Sequence, residues 1–311
     1  MFKNLLRLIR FPNLLMIALT QIVVEYSLII PVLKYDQQEI QFPVFYFGLL
    51  VLSTVLIAAG GYIINDYSDV EMDKINKPDK VVVGKYLSLQ ETLNIYTAIT
   101  LLGIIIALYL ALQVQLYVLV FIQVLVAGLL YFYAINYKRQ LLIGNIIISL
   151  LSALTVILPF IYEAVAEAKQ VSAIYIYCDI IFIYAGFSFI TTLIREIIKD
   201  IEDMQGDQMV DCKTLPIVIG INYSKIILLI LLQLTLGSIA FLQHKLYSLN
   251  EDIFSQVYIG LFIQIPILFL IHRLVKAKDK KDFSFASLLI KLIMLSGILS
   301  MPVLFVLIYG M

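Results

Sequence analysis

Long apolar runs alternate with short polar segments along the whole chain, and this alternation is the dominant pattern in the sequence. A helix needs about 20 mostly apolar residues to cross the hydrocarbon core of a bilayer. The runs that meet this length lie near residues 12–33, 44–65, 93–112, 115–134, 141–162, 173–195, 225–243, 254–275 and 285–309. The pattern therefore predicts an all-α membrane protein with nine transmembrane helices.

The composition excludes several classes of protein. Of the 311 residues, 62% are hydrophobic and 14% are charged, and the mean hydropathy is +0.98. Soluble domains are about 45–50% apolar and about 25% charged, so a water-soluble globule, a disordered chain and a nucleic-acid-binding surface are excluded. Cys178 and Cys212 are too few for a disulfide framework, and we expect both to be free thiols.

The basic residues are unevenly distributed between alternate connecting segments. If the N-terminus is cytoplasmic, most of the 22 Lys and Arg residues fall in cytoplasmic segments, and the external loops keep only Lys34, Lys169 and Lys245. Because positive charge accumulates on the cytoplasmic side, we predict a cytoplasmic N-terminus and an external C-terminus. We expect residues 1–311 to form one integral domain of the cell membrane.

Two predicted cytoplasmic loops, near 65–92 and 196–224, carry the same acidic spacing, D-x-x-D-x-x-x-D. The pattern occurs after the second span and again after the sixth. Its carboxylates are Asp66, Asp69, Asp73, Asp200, Asp203 and Asp207. These equivalent positions indicate an internal duplication, which predicts two four-helix repeats plus one helix.

Spacings of three and four residues place the carboxylates of each motif on one helical face. Like charges gathered near a membrane interior require a cation, and oxygen donors without histidine or cysteine favour Mg²⁺ over zinc. Since Mg²⁺ is commonly held by a few carboxylates together with substrate phosphates, the motifs predict a diphosphate site that faces the cytoplasm. The alternative is that these charges are merely solvated, but their recurrence at equivalent positions argues against it.

The residues around these carboxylates resemble two motifs of the UbiA superfamily of intramembrane prenyltransferases. The first reads Asn65-Asp66-x-x-Asp69-x-x-x-Asp73, followed by Asn76-x-Pro78. The second reads Arg195-Glu196-x-x-Lys199-Asp200-x-x-Asp203-x-x-Gly206-Asp207, followed by Thr214-Leu215-Pro216. Within the superfamily, this second motif is most similar to that of the geranylgeranylglycerol-phosphate geranylgeranyltransferase branch. The family commonly continues Pro-x-Arg-Pro after the first motif, whereas Lys80 stands here and lacks a bidentate guanidinium.

The resemblance implies a Mg²⁺-dependent enzyme, surrounded by membrane lipid, that transfers a polyprenyl group from a polyprenyl diphosphate to a hydrophobic or amphiphilic acceptor. The branch similarity implies a lipid precursor as this acceptor, with geranylgeranylglycerol phosphate as the candidate. The implied metal ligands are Asn65, Asp69, Asp73, Asp203 and Asp207. The implied diphosphate ligands are Asn65, Lys77, Lys80, Arg195, Lys199, Arg10 and Asn13. The implied catalytic residues are Asp66, Asp200, Tyr133 and Lys138, with the Tyr133 ring facing the allylic cation. The basic residues and the tyrosine could instead anchor helix ends at the membrane interface.

Two alternative functions stay open at this point. Within the superfamily, an aromatic acceptor of quinone or pigment biosynthesis is the main alternative to geranylgeranylglycerol phosphate. A secondary transporter also combines repeats with intramembrane charges. Transporter sites usually lie near the bilayer midplane, whereas both acidic motifs here are predicted at one rim.

Overall fold

The computed structural model describes residues 2–35, 42–76, 78–115, 117–166, 174–250 and 253–309. Within them, nine helices are long and apolar enough to cross a membrane. These spans are Phe11–Lys34, Val44–Ser68, Leu89–Gln113, Val118–Ile135, Ile143–Ala164, Asp179–Met209, Ile221–Ser248, Ile253–Lys276 and Lys280–Leu304. The predicted all-α architecture and the number of spans are confirmed.

Some spans are single helices and others are built from several shorter ones. The α-helices are α1 (Phe2–Leu8), α2 (Phe11–Val24), α3 (Ile30–Tyr35), α4 (Val44–Ser68), α5 (Val70–Asn76), α6 (Leu89–Gln113), α7 (Val118–Ile135), α8 (Ile143–Ala166), α9 (Ile174–Met209), α10 (Leu215–Ile219), α11 (Ile221–Asn250), α12 (Ile253–Ile259), α13 (Ile265–Lys276) and α14 (Lys280–Tyr309). A π-helical turn joins α2 to α3 over Glu25–Ile29, and another joins α12 to α13 over Gly260–Gln264. Hydrophobicity alone does not predict these turns, because they change only the local hydrogen-bond register.

Apolar side chains cover the outside of the bundle as well as its interior. In α6, Leu101, Leu102 and Ile105 are about half exposed, whereas Ala107 and Leu110 are fully buried. In water such an outer face would have to be covered, but in lipid it is the ordinary surface of a spanning helix.

The helices α4 and α9, which carry the acidic motifs near their ends, each pack against several other helices. α4 packs on α6 and α7, α9 packs on α8, α11 and α14, and α2 contacts α4, α8 and α14. Small residues let α4 and α6 approach closely: the Ser53 Oγ donates to the Gly103 carbonyl at 2.8 Å, and a Cβ on Gly103 would lie 2.8 Å from the Ile57 side chain. This packing holds α4 firmly from its outer side and leaves its inner side facing a cavity.

The acidic motifs lie on helices, whereas the sequence predicted loops. The first motif runs from the last turn of α4 into α5, and the second lies wholly within α9. α9 continues past the apolar run because its backbone groups bond within the helix whatever the side chains are. The chain leaves the helix after Met209, and Asp211 adopts a left-handed conformation with φ 55°. The predicted loop near 196–224 is therefore only a few residues long.

Candidate active site

A cavity of about 310 Å³ lies between α2, α4, α5, α7, α8, α9 and α14. It is lined by all the predicted metal ligands, which are Asn65, Asp69, Asp73, Asp203 and Asp207. Other predicted site residues also line it, namely Arg10, Asn13, Tyr133, Lys138, Arg195, Lys199 and Asp200. Asp66 is outside the lining, and Lys77 and the side chain of Lys80 lie outside the described residues. Sequence positions far apart are thus brought to one site.

The cavity is polar at one end and apolar at the other. Most of its charged residues stand near the ends of α4 and α9 and at the start of α2, while Lys138 follows α7 and Lys291 lies within α14. Its apolar lining comes from further along the spans and includes Met16, Ile17, Val126, Leu130, Ile148, Leu151, Phe187, Met294, Ile298 and Met301. Such a division suits a ligand with an anionic head and an apolar tail.

Lys138 is buried against the first motif. Its Nζ forms an ion pair with Asp69 Oδ1 and donates to Ser68 Oγ at 2.6 Å. Burial lowers the pKa of Lys138, and the Asp69 carboxylate opposes that shift. A Cβ on Gly144 would lie 2.8 Å from the Lys138 Cα, so a glycine there allows α8 to approach the turn that carries the lysine. An interfacial anchor needs none of these contacts, and the geometry favours a role in the site.

Asp66 binds Arg10 and does not reach the cavity. The Arg10 Nη2 donates to Asp66 Oδ1 at 2.9 Å, and its Cζ lies 5.0 Å from the centroid of the Tyr62 ring. Since this carboxylate is already compensated by a guanidinium, its placement favours a positioning role for Asp66 over the catalytic role expected from the sequence. Arg10 itself lines the cavity, as predicted.

Asp200 lies in the cavity and is held by a neighbour that the sequence did not point to. The Asn145 Nδ2 donates to Asp200 Oδ2 at 2.8 Å, and Asn145 is almost fully buried near the start of α8. Tyr133 of α7 lines the same cavity as Asp200. A carboxylate with one fixed oxygen and an aromatic ring therefore face the same space.

Asn76 ties the two acidic motifs together. Its Nδ2 donates to the Asp203 carbonyl at 3.0 Å, and its Oδ1 accepts a hydrogen bond from the Gly206 N–H at 3.1 Å. Gly206 is buried, and a Cβ there would lie 2.4 Å from the Asn76 Nδ2. We call this two-point contact between Asn76 and the backbone of Asp203 and Gly206 the asparagine clamp. It sets the separation of α5 and α9, and with it the separation of the two motifs.

A second group of basic side chains comes from α9 and α14. The Lys291 Nζ donates to Asn13 Oδ1 at 2.5 Å, and the Arg195 Nη1 donates to Glu196 Oε1 at 2.5 Å. Lys199 lies one turn after Arg195, and all of these side chains line the cavity.

The donor set of the cavity fits a hard divalent cation. Carboxylate and amide oxygens from both motifs line it, and histidine is absent from the described lining. Cys212 also lines it, but its sulfur is a soft ligand, which a hard cation such as Mg²⁺ does not favour. Burial and the nearby Asp207 carboxylate raise the pKa of this thiol to about 11. Over the described ranges, no three acidic, histidine or cysteine side chains form a closed cluster. A Mg²⁺ ion that shares substrate phosphates needs only one or two carboxylates, so the residues fit.

Three features of the site were missed from the sequence. Asn76 and Gly206 stood in the quoted motifs, but their contact with one another was not foreseen. Asn145 carries no motif around it. Lys291 did carry a signal, because a charge inside a spanning helix usually faces a cavity or a functional site.

The model of the UbiA prenyltransferase family matches residues 37–297 of the sequence. The chain belongs to this family. Digeranylgeranylglyceryl phosphate synthase of Saccharolobus solfataricus is 32% identical to this UbiA protein over 255 residues, which are 81% of this chain and 83% of the relative. The enzyme of the same name from Methanosphaera stadtmanae is 34% identical over 216 residues, 69% of this chain and 71% of the relative.

Solved structures share the fold of this UbiA protein. A structure described for digeranylgeranylglyceryl phosphate synthase in membranes matches with a TM-score of 0.59 and 26% identity, over 97% of this chain and 98% of the other. A UbiA homolog from Archaeoglobus fulgidus bound to GPP and Mg²⁺ matches with a TM-score of 0.56 over 96% of this chain and 99% of the other; at 15% identity it shows the fold alone. This UbiA protein is thus a multi-pass membrane enzyme that transfers prenyl groups, and the transporter alternative is set aside.

Proposed function

We propose that this protein transfers a polyprenyl group from its diphosphate to the hydroxyl of geranylgeranylglyceryl phosphate, with Mg²⁺ as cofactor. The observation that carries the proposal is the meeting of both acidic motifs and Lys138 at the polar end of a cavity whose other end is apolar. The names of the relatives support a glycerol-phosphate acceptor over an aromatic one.

The donor diphosphate is held at the polar end. Asn65, Asp69, Asp73, Asp203 and Asp207 would hold Mg²⁺, and the bound ion would supply positive charge to stabilise the departing diphosphate. Lys138 binds a diphosphate oxygen directly, because it lies beside Asp69 and its pairing with Ser68 fixes the ammonium at the cavity wall. Lys77 and Lys80, which follow the first motif in sequence, are further diphosphate ligands in this proposal.

Transfer breaks the bond between the allylic carbon and the diphosphate oxygen, and the electron pair leaves with the diphosphate. The positive charge left on the prenyl group lies near Tyr133, whose ring contributes about 0.5–2 kcal/mol to cation stabilisation. The apolar part of the cavity surrounds the prenyl chain and keeps water away from the cation.

The acceptor hydroxyl completes the reaction. Its oxygen forms the new bond to the allylic carbon, and its proton passes to Asp200. Because Asn145 binds one carboxylate oxygen of Asp200, the other oxygen accepts this proton. Asp66 acts by orienting Arg10 and is a positioning residue in this scheme.

We also propose that residues 1–311 act as one domain of the cell membrane, with the site on the cytoplasmic side. The distribution of basic residues between alternate segments supports this orientation. It would give the enzyme access to a soluble Mg²⁺ supply and to a donor that carries a charged head.

Purified protein in detergent tests the proposal. It is incubated with geranylgeranyl diphosphate and either geranylgeranylglyceryl phosphate or a hydroxybenzoate, and the products are identified by mass spectrometry. We expect product only with the glycerol phosphate, none in EDTA, and recovery with Mg²⁺ or Mn²⁺. Transfer to the hydroxybenzoate alone, or equal transfer in EDTA, would contradict the proposal.

A further inference from the structure

Lys291 is a charged residue in the interior of the last span, and the reaction scheme above leaves it without a role. It stands eleven residues after the start of α14 and is partly buried. A cation at membrane depth is costly unless it faces a cavity and a partner. Lys291 lines the cavity and donates to Asn13 of α2, which is a neutral acceptor and leaves its charge uncompensated by this bond.

Other cations share the cavity wall with Lys291. Arg195 and Lys199 lie on α9, which packs against α14, and both line the same cavity as Lys291, as does Arg10. Glu196 compensates part of this charge through its bond with Arg195. The Arg195 Nε–H is buried and has no hydrogen-bond partner among the described residues. Gathered cations and an unused buried donor in one cavity wall form a site for an anion.

The anion that this wall fits differs from the donor diphosphate. The donor site is rich in carboxylates, and an anion reaches it only with metal ions to screen the repulsion. The wall formed by Lys291, Arg195 and Lys199 presents amino and guanidinium donors, which bind a phosphate monoester without metal. Along α14, the cavity lining continues from Lys291 to Met294, Ile298 and Met301, so an apolar chain attached to that phosphate has a wall to follow.

We propose that Lys291, with Arg195 and Lys199, binds the phosphate monoester of the lipid acceptor, independently of the metal that binds the donor. This assignment rests on the proposed function. It makes Lys291 a specificity residue that selects a phosphorylated acceptor over one without phosphate. It also moves Arg195 and Lys199 from the donor diphosphate, where the motif resemblance placed them, to the acceptor.

The test compares Lys291→Met, Lys291→Arg and the wild type in steady-state transfer assays. We expect Lys291→Met to raise the KM for geranylgeranylglyceryl phosphate at least about tenfold, because a charge-assisted hydrogen bond is lost, while the KM for the donor changes less than about twofold. The preference for this acceptor over geranylgeranylglycerol, which lacks the phosphate, should fall by a similar factor. Lys291→Arg should recover most of it. Lys276→Met, which removes an exposed lysine at the end of α13, is the matched control.

Calorimetry in EDTA separates this inference from the function on which it rests. The wild type should bind geranylgeranylglyceryl phosphate without metal, and Lys291→Met should bind it at least about tenfold more weakly. An equal rise in both KM values, or unchanged acceptor binding in Lys291→Met, would overturn the inference even if the wild type makes the product. A wild type that binds this acceptor but never prenylates it would instead contradict the proposed function. Inorganic phosphate in a parallel titration shows how much of the affinity comes from the phosphate alone.

Discussion

The substitution Gly206→Ala tests whether the asparagine clamp sets the geometry of the site. A Cβ on Gly206 would lie 2.4 Å from the Asn76 Nδ2, whereas ordinary contacts begin near 3.4 Å. α5 and α9 must therefore separate by about 1 Å, or Asn76 must turn away. Either response breaks the bonds of Asn76 to the Asp203 carbonyl and the Gly206 N–H.

The magnitude follows from these two hydrogen bonds. Each contributes about 0.5–1.5 kcal/mol net, and alanine returns about 0.5–1 kcal/mol of helix propensity. We therefore expect the free energy of unfolding to fall by at most about 2.5 kcal/mol, with a central value of about 1 kcal/mol. The loss of activity should be larger, because a misplacement of about 1 Å at a reacting centre costs about 100-fold in rate. Prenyl transfer at saturating substrates and thermal unfolding in detergent measure the two effects.

Gly186→Ala is the control, since Gly186 lies in the same helix, is exposed and has open space around its Cβ position. It should keep full activity. The double variant Asn76→Ala/Gly206→Ala should be no worse than Asn76→Ala alone, because removal of the amide also removes the clash. Full activity in Gly206→Ala, or an undiminished effect of that change when Asn76 is absent, would refute the clamp.

Three further predictions concern the donor side of the site. Asp69→Ala and Asp203→Ala should each abolish transfer, while size-exclusion chromatography in detergent shows that both variants stay folded. Turnover in both variants at high Mg²⁺ would exclude a site shared by the two motifs. Lys138→Ala should raise the donor KM at least about tenfold with the acceptor KM nearly unchanged, and an equal rise in both would reduce Lys138 to a structural residue. In a Cys178→Ser background, the alkylation rate of Cys212 should keep rising about tenfold per pH unit beyond pH 9. The reason is that its thiol has a pKa of about 11, so the reactive thiolate fraction grows up to that pH. A rate that levels off near pH 8.5, the pKa of an ordinary thiol, would show that the thiol is not buried beside Asp207.

The transmembrane helices could be predicted from the sequence because the bilayer sets both their length and their backbone. Hydrocarbon offers no hydrogen bonds, so an apolar run of sufficient length must be helical. The same reasoning located the acidic motifs, because carboxylates near a membrane interior stand out from their surroundings. It did not show that α9 continues through the second motif, since nothing in the apolar run marks where a helix that enters water must end.

The partners within the site could not be predicted, and the reason is physical. In a soluble helix the apolar face points to the core, but here lipid-facing and interior faces are equally apolar, as in α6, so periodicity does not reveal which way a polar residue points. Asn76 meets Asp203 across 127 residues, and Lys291 meets Asn13 across 278. Only the packing of α2, α5, α9 and α14 around one cavity brings these residues together.

The adjacent residues Lys138 and Arg139 carry the same charge, but their burial distinguishes a residue of the site from a topology signal. Both lie in the same short 3₁₀ turn after α7, and both contribute to the positive charge expected on the cytoplasmic side. The Arg139 side chain is exposed, whereas the Lys138 side chain is 9% exposed and contacts Ser68 and Asp69. A topology signal needs only a solvated charge, so the desolvation of Lys138 must be offset by interactions within the site. We therefore infer that the buried Lys138 ammonium serves the anionic head of the donor, whereas the exposed charge of Arg139 suffices as a topology signal.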